Sequence, residues 1–243
     1  MRLTTFINEN IITESINDKG ILKCCFMAGN AGAGKSYTIS KITDGTITPR
    51  IINVDKWIEH LRVEYDTPGH NKAKSLTMVD CYNYINSMLP IFVDSTSTDS
   101  SSTIRKSNLL EDLGYDISMI FVKTSLETSL KRVEDRNKQG KRIVSLAAAK
   151  EYYLKAMEIK EYLKAKFPVY MELNNDDGEL TNDVVLKAYN RMGFFFNSPV
   201  KNPIGSNIIS TMKEKGWKYL TDGIYSKPEL KSKVSQWYRS RGV

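Results

Sequence analysis

The sequence predicts an α/β fold: a parallel five-stranded sheet flanked by helices. Two observations carry this. Five short apolar runs, at residues 21–28, 50–54, 90–93, 117–122 and 169–173, alternate with stretches of helical periodicity. Strands joined through helices need crossover connections, which makes neighbouring strands parallel. The runs are also nearly continuous in apolar residues, as expected for strands covered on both faces.

The elements follow in order. Phe6, Ile7, Ile11, Ile12 and Ile16 recur near the helical period, so residues 3–17 are expected to form a short amphipathic helix that packs on the core. Asp18-Lys19-Gly20 signals a turn into the first strand, where Cys24 and Cys25 should face opposite sides of the sheet. A glycine-rich segment, 29–34, precedes a helix over 36–42. The second strand ends at Asp55, which opens a helix over 55–65. Thr67-Pro68-Gly69 breaks that helix, and another runs over 73–88. The third strand ends in Asp94, and a Ser/Thr-rich loop over 95–103 leads to a helix ending near Gly114. After the fourth strand come a helix over 126–138, an interruption at 140–142 and a long helix over 145–166. The fifth strand leads to a helix over 180–192.

A boundary is expected over 193–203. Beyond it the pattern gives a helix over 206–215, a hairpin around Asp222-Gly223 and a basic helix over 228–239. The expected organisation is an N-terminal helical segment (1–20), a core (21–195) with a lid at about 132–145, and a basic C-terminal appendage (196–243).

Composition narrows the functional classes. The 243 residues are 41% hydrophobic and 26% charged, ordinary values for a globular protein. No apolar run reaches the length of a membrane span, and the first ten residues lack the pattern of a secretory signal. Three cysteines, two of them adjacent, and two histidines argue against disulfides and a Cys/His zinc site. They suit a reducing, cytoplasmic setting.

The glycine-rich segment is the most specific feature. Gly29-Asn30-Ala31-Gly32-Ala33-Gly34-Lys35-Ser36 fits the pattern Gly-x-x-x-x-Gly-Lys-Ser between a strand and a helix. Glycines let backbone N–H groups converge on a phosphate, and the start of the helix adds its positive end. Lys35 would reach the terminal phosphates and Ser36 would ligate Mg²⁺, with Tyr37 completing the cofactor-binding stretch of the new helix. ATP and Mg²⁺ are therefore the expected cofactors.

Further candidates follow the strands. Asp55, at the carboxyl end of the second strand, could accept or orient a hydroxyl proton, and as an N-cap it would serve structure instead. Asp94 fits a strand-end Mg²⁺ ligand or a turn residue, and Thr96 beside it could line a substrate. Arg132 and Arg136 share a helix face, and Arg142 follows the interruption. Such a lid could place positive charge on a transferring phosphoryl group, although Glu134 and Asp135 also fit a solvated charged face.

The glycine loop, Asp55, the segment Val93-Asp94-Ser95-Thr96 and the arginines after the fourth strand together resemble the zeta toxin and polynucleotide 5′-kinase group of small P-loop kinases, including single-domain kinases of large tailed phages. The resemblance covers about residues 21–190. It implies an adenylate-kinase-like strand order 2-3-1-4-5 and transfer of the ATP γ-phosphoryl group to a hydroxyl of a nucleotide, sugar nucleotide, nucleic-acid end or protein. One position departs from the pattern. Polynucleotide kinases carry an arginine three residues after the strand-end aspartate, where this chain has Ile58. Arg62 would substitute only in part. Ile12-Thr13-Glu14-Ser15 resembles the sites cut by prohead proteases of such phages, which implies a capsid association.

Charge is unevenly spread. Residues 1–200 hold 26 Lys and Arg against 25 Asp and Glu, whereas residues 201–243 hold 9 against 3. Nearly all of the net +7 thus lies on the appendage, among Trp217, Tyr219, Tyr225, Trp237 and Tyr238. Basic residues interleaved with aromatics can grip single-stranded nucleic acid or another polyanion, or form a packed subdomain with a solvated basic face. Two other functions stand beside the kinase: a virion-associated or other binding protein with a non-catalytic nucleotide site, and a nucleic-acid-dependent ATPase.

Overall fold

A computed structural model describes residues 16–43, 50–63, 67–95, 98–139, 144–176 and 181–238. Five strands form one parallel sheet: β1 (Lys23–Ala28), β2 (Arg50–Ile52), β3 (Ile91–Asp94), β4 (Asp116–Lys123) and β5 (Tyr170–Asn174). Their spatial order is β2-β3-β1-β4-β5, as the resemblance implies. Nine α-helices lie among the described residues: α1 (Lys35–Ile42), α2 (Val54–Leu61), α3 (Pro68–Asn86), α4 (Ser100–Asp112), α5 (Leu126–Lys138), α6 (Leu146–Lys166), α7 (Asn182–Asn197), α8 (Pro203–Lys215) and α9 (Lys227–Ser235).

The sheet has two apolar faces because its central strands carry apolar residues at successive positions, Cys24–Ala28 in β1 and Met119–Val122 in β4. Cys24, Phe26 and Ala28 enter one cluster with residues of α3, α4 and α6, while Cys25 and Met27 enter the other with residues of α1 and α7. Adjacent cysteines thus point to opposite faces, as strand alternation requires. The pair is buried and free of disulfides, and burial raises both thiols, Cys25 to about 12.

Capping chemistry moves several boundaries. Thr67-Pro68-Gly69 begins α3 rather than only ending α2: the Thr67 hydroxyl accepts from the His70 N–H at 3.4 Å and Pro68 takes the first helical position. The serine-rich stretch is helical from Ser100, with Asp99 as the cap accepting from Ser102 N–H at 3.1 Å. Asn53, not Asp55, caps α2, accepting from the Asp55 N–H at 2.7 Å. α7 continues through Gly193 to Asn197 because Phe195 and Phe196 pack on the sheet. The expected hairpin at Asp222-Gly223 is instead a 3-10 turn over Leu220–Asp222. The Asp222 carboxylate accepts from the N–H groups of Lys218 and Tyr219, both at 3.0 Å, which closes the chain locally. The amphipathic helix expected over 3–17 falls on residues 1–15 almost entirely, and the Ile12-Thr13-Glu14-Ser15 site wholly so; both lie outside the described residues.

The basic C-terminal segment turns its aromatics inward. Ile208, Met212, Leu220, Leu230, Val234 and Trp237 belong to the same cluster as β1, and Trp217, Tyr225 and Tyr238 pack against it. Asn202 holds the entry to α8, with its Nδ2 donating to Glu111 O at 2.9 Å and its Oδ1 capping Ile204 N–H at 2.9 Å. Lys213, Lys215, Lys218, Lys227 and Lys231 stay exposed. The packed form with a solvated basic face is therefore the observed one.

Trp237 is 1% exposed, so its truncation should remove a large buried area and leave a cavity. Trp237→Ala is expected to cost about 3–5 kcal/mol, read as a lower denaturant midpoint. An unchanged midpoint would show that the C-terminal segment does not stabilise the core.

Candidate functional site

β1 is buried at every residue and delivers the chain to the middle of the sheet edge, where the glycine loop begins. Gly29 has φ 140° and Gly34 φ 86°. At Gly29 a Cβ would overlap Val122 O, and at Gly34 it would overlap the Asn175 Nδ2. Only glycine fits these two positions.

Side chains behind the loop hold its shape. Asn30 is fully buried, and its Nδ2 donates to Ala31 O and Ser129 Oγ, both at 2.9 Å. Ser129 Oγ donates to Ala31 O at 2.6 Å, and Asn175 Nδ2 donates to Ala33 O at 2.7 Å. α5 and the end of β5 thereby brace the loop from one side. Asp176 fastens the start of α5 by accepting from Ser125 N–H at 2.7 Å. Desolvation pushes the Asp176 carboxyl up, but the Ser125 N–H and hydroxyl outweigh it and hold it below the usual carboxylate range.

α1 starts at Lys35 with Gly34 as its cap, no side-chain cap and no acidic residue in its first turn. Its leading N–H groups therefore face the loop with no side chain in the way, the arrangement that binds an anion. Lys35 Nζ donates to Gly29 O at 3.0 Å and Asn30 O at 3.1 Å, lying across the loop mouth.

On the β3 side, Ser36 Oγ donates to Asp94 Oδ2 at 3.2 Å and Asn53 Nδ2 to the same oxygen at 3.0 Å. Burial raises the Asp94 carboxyl above its ordinary value, against Lys35 and Ser36, which lower it, and Asp55 adds a like charge. On the β4 side, Arg132 Nη1 reaches Gly32 O at 3.4 Å. Arg132 and Arg136 lie on α5 flanking buried Val133, and both are half-buried.

One cavity of about 310 Å³ gathers these groups, lined by Ala31, Gly32, Gly34, Lys35, Ser36, Tyr37, Asn53, Asp55, Asp94, Ser95, Arg132, Arg136 and Tyr152. Gly29, Asn30 and Ala33 shape the loop from behind that lining. Arg62 is not in the cavity: it is the left-handed C-cap of α2, with φ 53°. Arg142 and Thr96 lie outside the described residues. Sequence reasoning missed Asn53, Tyr152 and Asn175. A signal existed only for Asn53, since Asn two residues before Asp55 is as strong a cap as Asp. A second depression of about 420 Å³ along α4, containing Arg105 and Tyr162, holds none of the motif residues.

The Ser36 hydroxyl and Asp94 carboxylate are hard oxygen donors that suit Mg²⁺, which takes one or two protein oxygens and fills its shell with phosphate and water. Among the described residues no group of three His, Cys, Asp or Glu is placed to hold a metal by itself. The pair therefore fits a metal that arrives with phosphates.

The raised Asp94 carboxyl has a consequence for stability. Below about pH 3.9 Asp94 is protonated in both folded and unfolded chains and carries no charge penalty. As pH rises through its native value, the buried charge is forced on the fold and stability is lost. In nucleotide-free, metal-free protein, Asp94→Asn is therefore expected to gain on the parent in thermal midpoint between pH 4 and pH 7. A gain that shrinks over that range would refute the assignment.

Comparison with known proteins bears on the family and the fold. A family model described as an AAA domain matches residues 25–158, from β1 into α6. Among solved structures, a kinase candidate from Chloroflexus aurantiacus is 12% identical over 70% of this chain and 98% of that one, with TM-score 0.52. A chain of the Pnkp1/Rnl/Hen1 RNA repair complex is 17% identical over 60% of this chain, with TM-score 0.50; the match spans about half of that chain, 47%. A chain of the native AvrRxo1-ORF1:ORF2 complex is 12% identical over 98% of this chain and 88% of that one, with TM-score 0.50. No curated protein sequence matches. At these identities the neighbours share the fold, a P-loop kinase-like one. Among the described residues no helix is long and apolar enough to cross a membrane. The family match covers more than half of the 243 residues, and the chain belongs to the AAA domain family.

Proposed function

We propose that the chain is an ATP-dependent phosphotransferase that moves the γ-phosphoryl group to a hydroxyl. One observation carries this reading. A single cavity holds an anion cradle with Lys35, the Ser36–Asp94 pair, a second carboxylate at Asp55 and the guanidinium groups of Arg132 and Arg136. A nucleotide-binding protein without turnover needs the cradle but neither the second carboxylate at Asp55 nor the arginines beside the loop.

The roles follow from charge and position. The glycine-loop N–H groups and Lys35 bind the β- and γ-phosphates. For Lys35 this means exchanging two carbonyl contacts for phosphate oxygens. Asp55 orients the acceptor hydroxyl and takes its proton. Arg136 and Arg132 balance the charge on the equatorial oxygens, a role that the sequence pattern also suggests for Arg142, outside the described residues. Mg²⁺ bound at Ser36 and Asp94 would neutralise phosphate charge. The exposed lysines of α8 and α9 form a separate surface for a polyanion, distant from this chemistry in role.

The test uses γ-labelled ATP with Mg²⁺ and a panel of hydroxyl acceptors. Lys35→Ala is expected to lower kcat about 100-fold or more by removing charge stabilisation. Asp55→Ala should lower kcat by about 10²–10⁴-fold while nucleotide affinity stays within about twofold. Parental kcat in Asp55→Ala would remove the proposed base.

A further inference from the structure

The cavity has two unlike walls, and the sheet order explains why. β1 carries the phosphate loop at the centre, with β4 on one side and β3 then β2 on the other. Among the described residues, every cation that lines the cavity comes from the loop or from α5 after β4: Lys35, Arg132 and Arg136. The opposite wall, from the ends of β2 and β3, contributes Asn53, Asp55, Asp94 and Ser95, two carboxylates with no cation. The cationic wall is tied to the donor side, because Lys35 and Arg132 both touch glycine-loop carbonyls.

The segment that builds the carboxylate wall is slightly acidic on balance. Residues 44–97 contain five Lys and Arg against seven Asp and Glu. None of those five cations lines the cavity. Lys56 sits over the Trp57 ring at 5.6 Å, and Trp57 is itself fixed by donating to Asp80 at 2.8 Å. Arg62 ends α2 in a left-handed turn. Ile58, one turn beyond Asp55, is buried and faces the core. With Asp94 committed to the metal, a phosphate or carboxylate on the acceptor would therefore meet the Asp55 carboxylate and, among the described residues of this wall, no side-chain cation. Like charges at such a distance repel, more strongly in a half-buried cavity than in water.

We infer that the acceptor is an uncharged or amine-bearing small polyol, such as a sugar, nucleoside or amino sugar, and not its phosphorylated counterpart. The inference rests on the phosphotransfer reading above. In the reaction the acceptor oxygen forms a bond to the γ-phosphorus, the bond from that phosphorus to the β–γ bridging oxygen breaks, and ADP leaves with the electron pair. The acceptor proton passes to Asp55 and then to water.

The experiment compares matched pairs with labelled ATP and Mg²⁺: glucose and glucose 6-phosphate, glucosamine and glucosamine 6-phosphate, adenosine and AMP, glycerol and glycerol 3-phosphate. Lys35→Ala serves as the background control. In any pair that is turned over, the uncharged or amine-bearing member is expected to have at least a tenfold higher kcat/KM. Equal or preferred turnover of the phosphorylated members overturns this inference and leaves the phosphotransfer reading standing. Tight ATP binding with no transfer to any member, above the Lys35→Ala background, overturns both.

Discussion

The glycine loop at the end of β1 is fixed by neighbours from other strands, and the rest of the site is arranged around that fact. Its backbone runs so close to Val122 O and Asn175 Nδ2 that side chains are excluded there. Asn30, Ser129 and Asn175 then satisfy the loop carbonyls that the close approach leaves in the interior. A loop pinned this way presents its N–H groups outward without reorganisation, which is what an anion cradle requires. It also forces β1 to be central, since its partners come from β4 and β5 on one side while Asp94 comes from β3 on the other.

From this centring follows the separation of charge. Arginines of α5 stand beyond β4, and carboxylates stand at the ends of β3 and β2. Asp94 accepts from both Ser36 and Asn53, so the Asn53 side chain joins two tasks: its oxygen caps α2 at Asp55, and its nitrogen orients Asp94. Those two hydrogen bonds do not fully offset the burial of Asp94, whose carboxyl is still raised. The site thus holds a carboxylate whose burial Lys35, Ser36 and Asn53 offset only in part, and which a bound metal cation would stabilise further. This is the pattern expected when stability yields to function at a site.

The sheet and the loop were readable in the sequence because both are written in composition. A strand buried on two faces must be apolar at successive positions, as β1 and β4 are, and a phosphate loop needs glycines at fixed spacing. The boundaries that moved were decided by single hydrogen bonds. Asp99 starts α4 among serines that read equally well as loop, and Asp222 folds a 3-10 turn from residues that read as a hairpin. Asp55 and Asn53 are both good caps, and only the three-dimensional path shows that Asn53 takes the cap and leaves the Asp55 carboxylate in the cavity. Tyr152 and Asn175 carry no local signal. They reach the site through the packing of α6 and the end of β5, which no short pattern encodes.

The same logic separates the charge of the C-terminal segment from its aromatic residues. Trp237 and Tyr238 share one lysine, Lys106 of α4, whose Nζ lies 5.4 Å from each ring centroid. Burial there pulls the Lys106 ammonium down to about 8, so the rings and the methylene stem form a dry contact rather than an open stacking surface. Lys215 lies 4.5 Å from the centroid of Trp217, and the Trp217 ring in turn fills the space beside Gly223. Rings committed in this way cannot also stack on bases without unpacking the cluster that covers one face of the sheet. Among the described residues of this segment, an anion would therefore meet chiefly exposed ammonium groups, an interaction that salt screens strongly and that carries little sequence information.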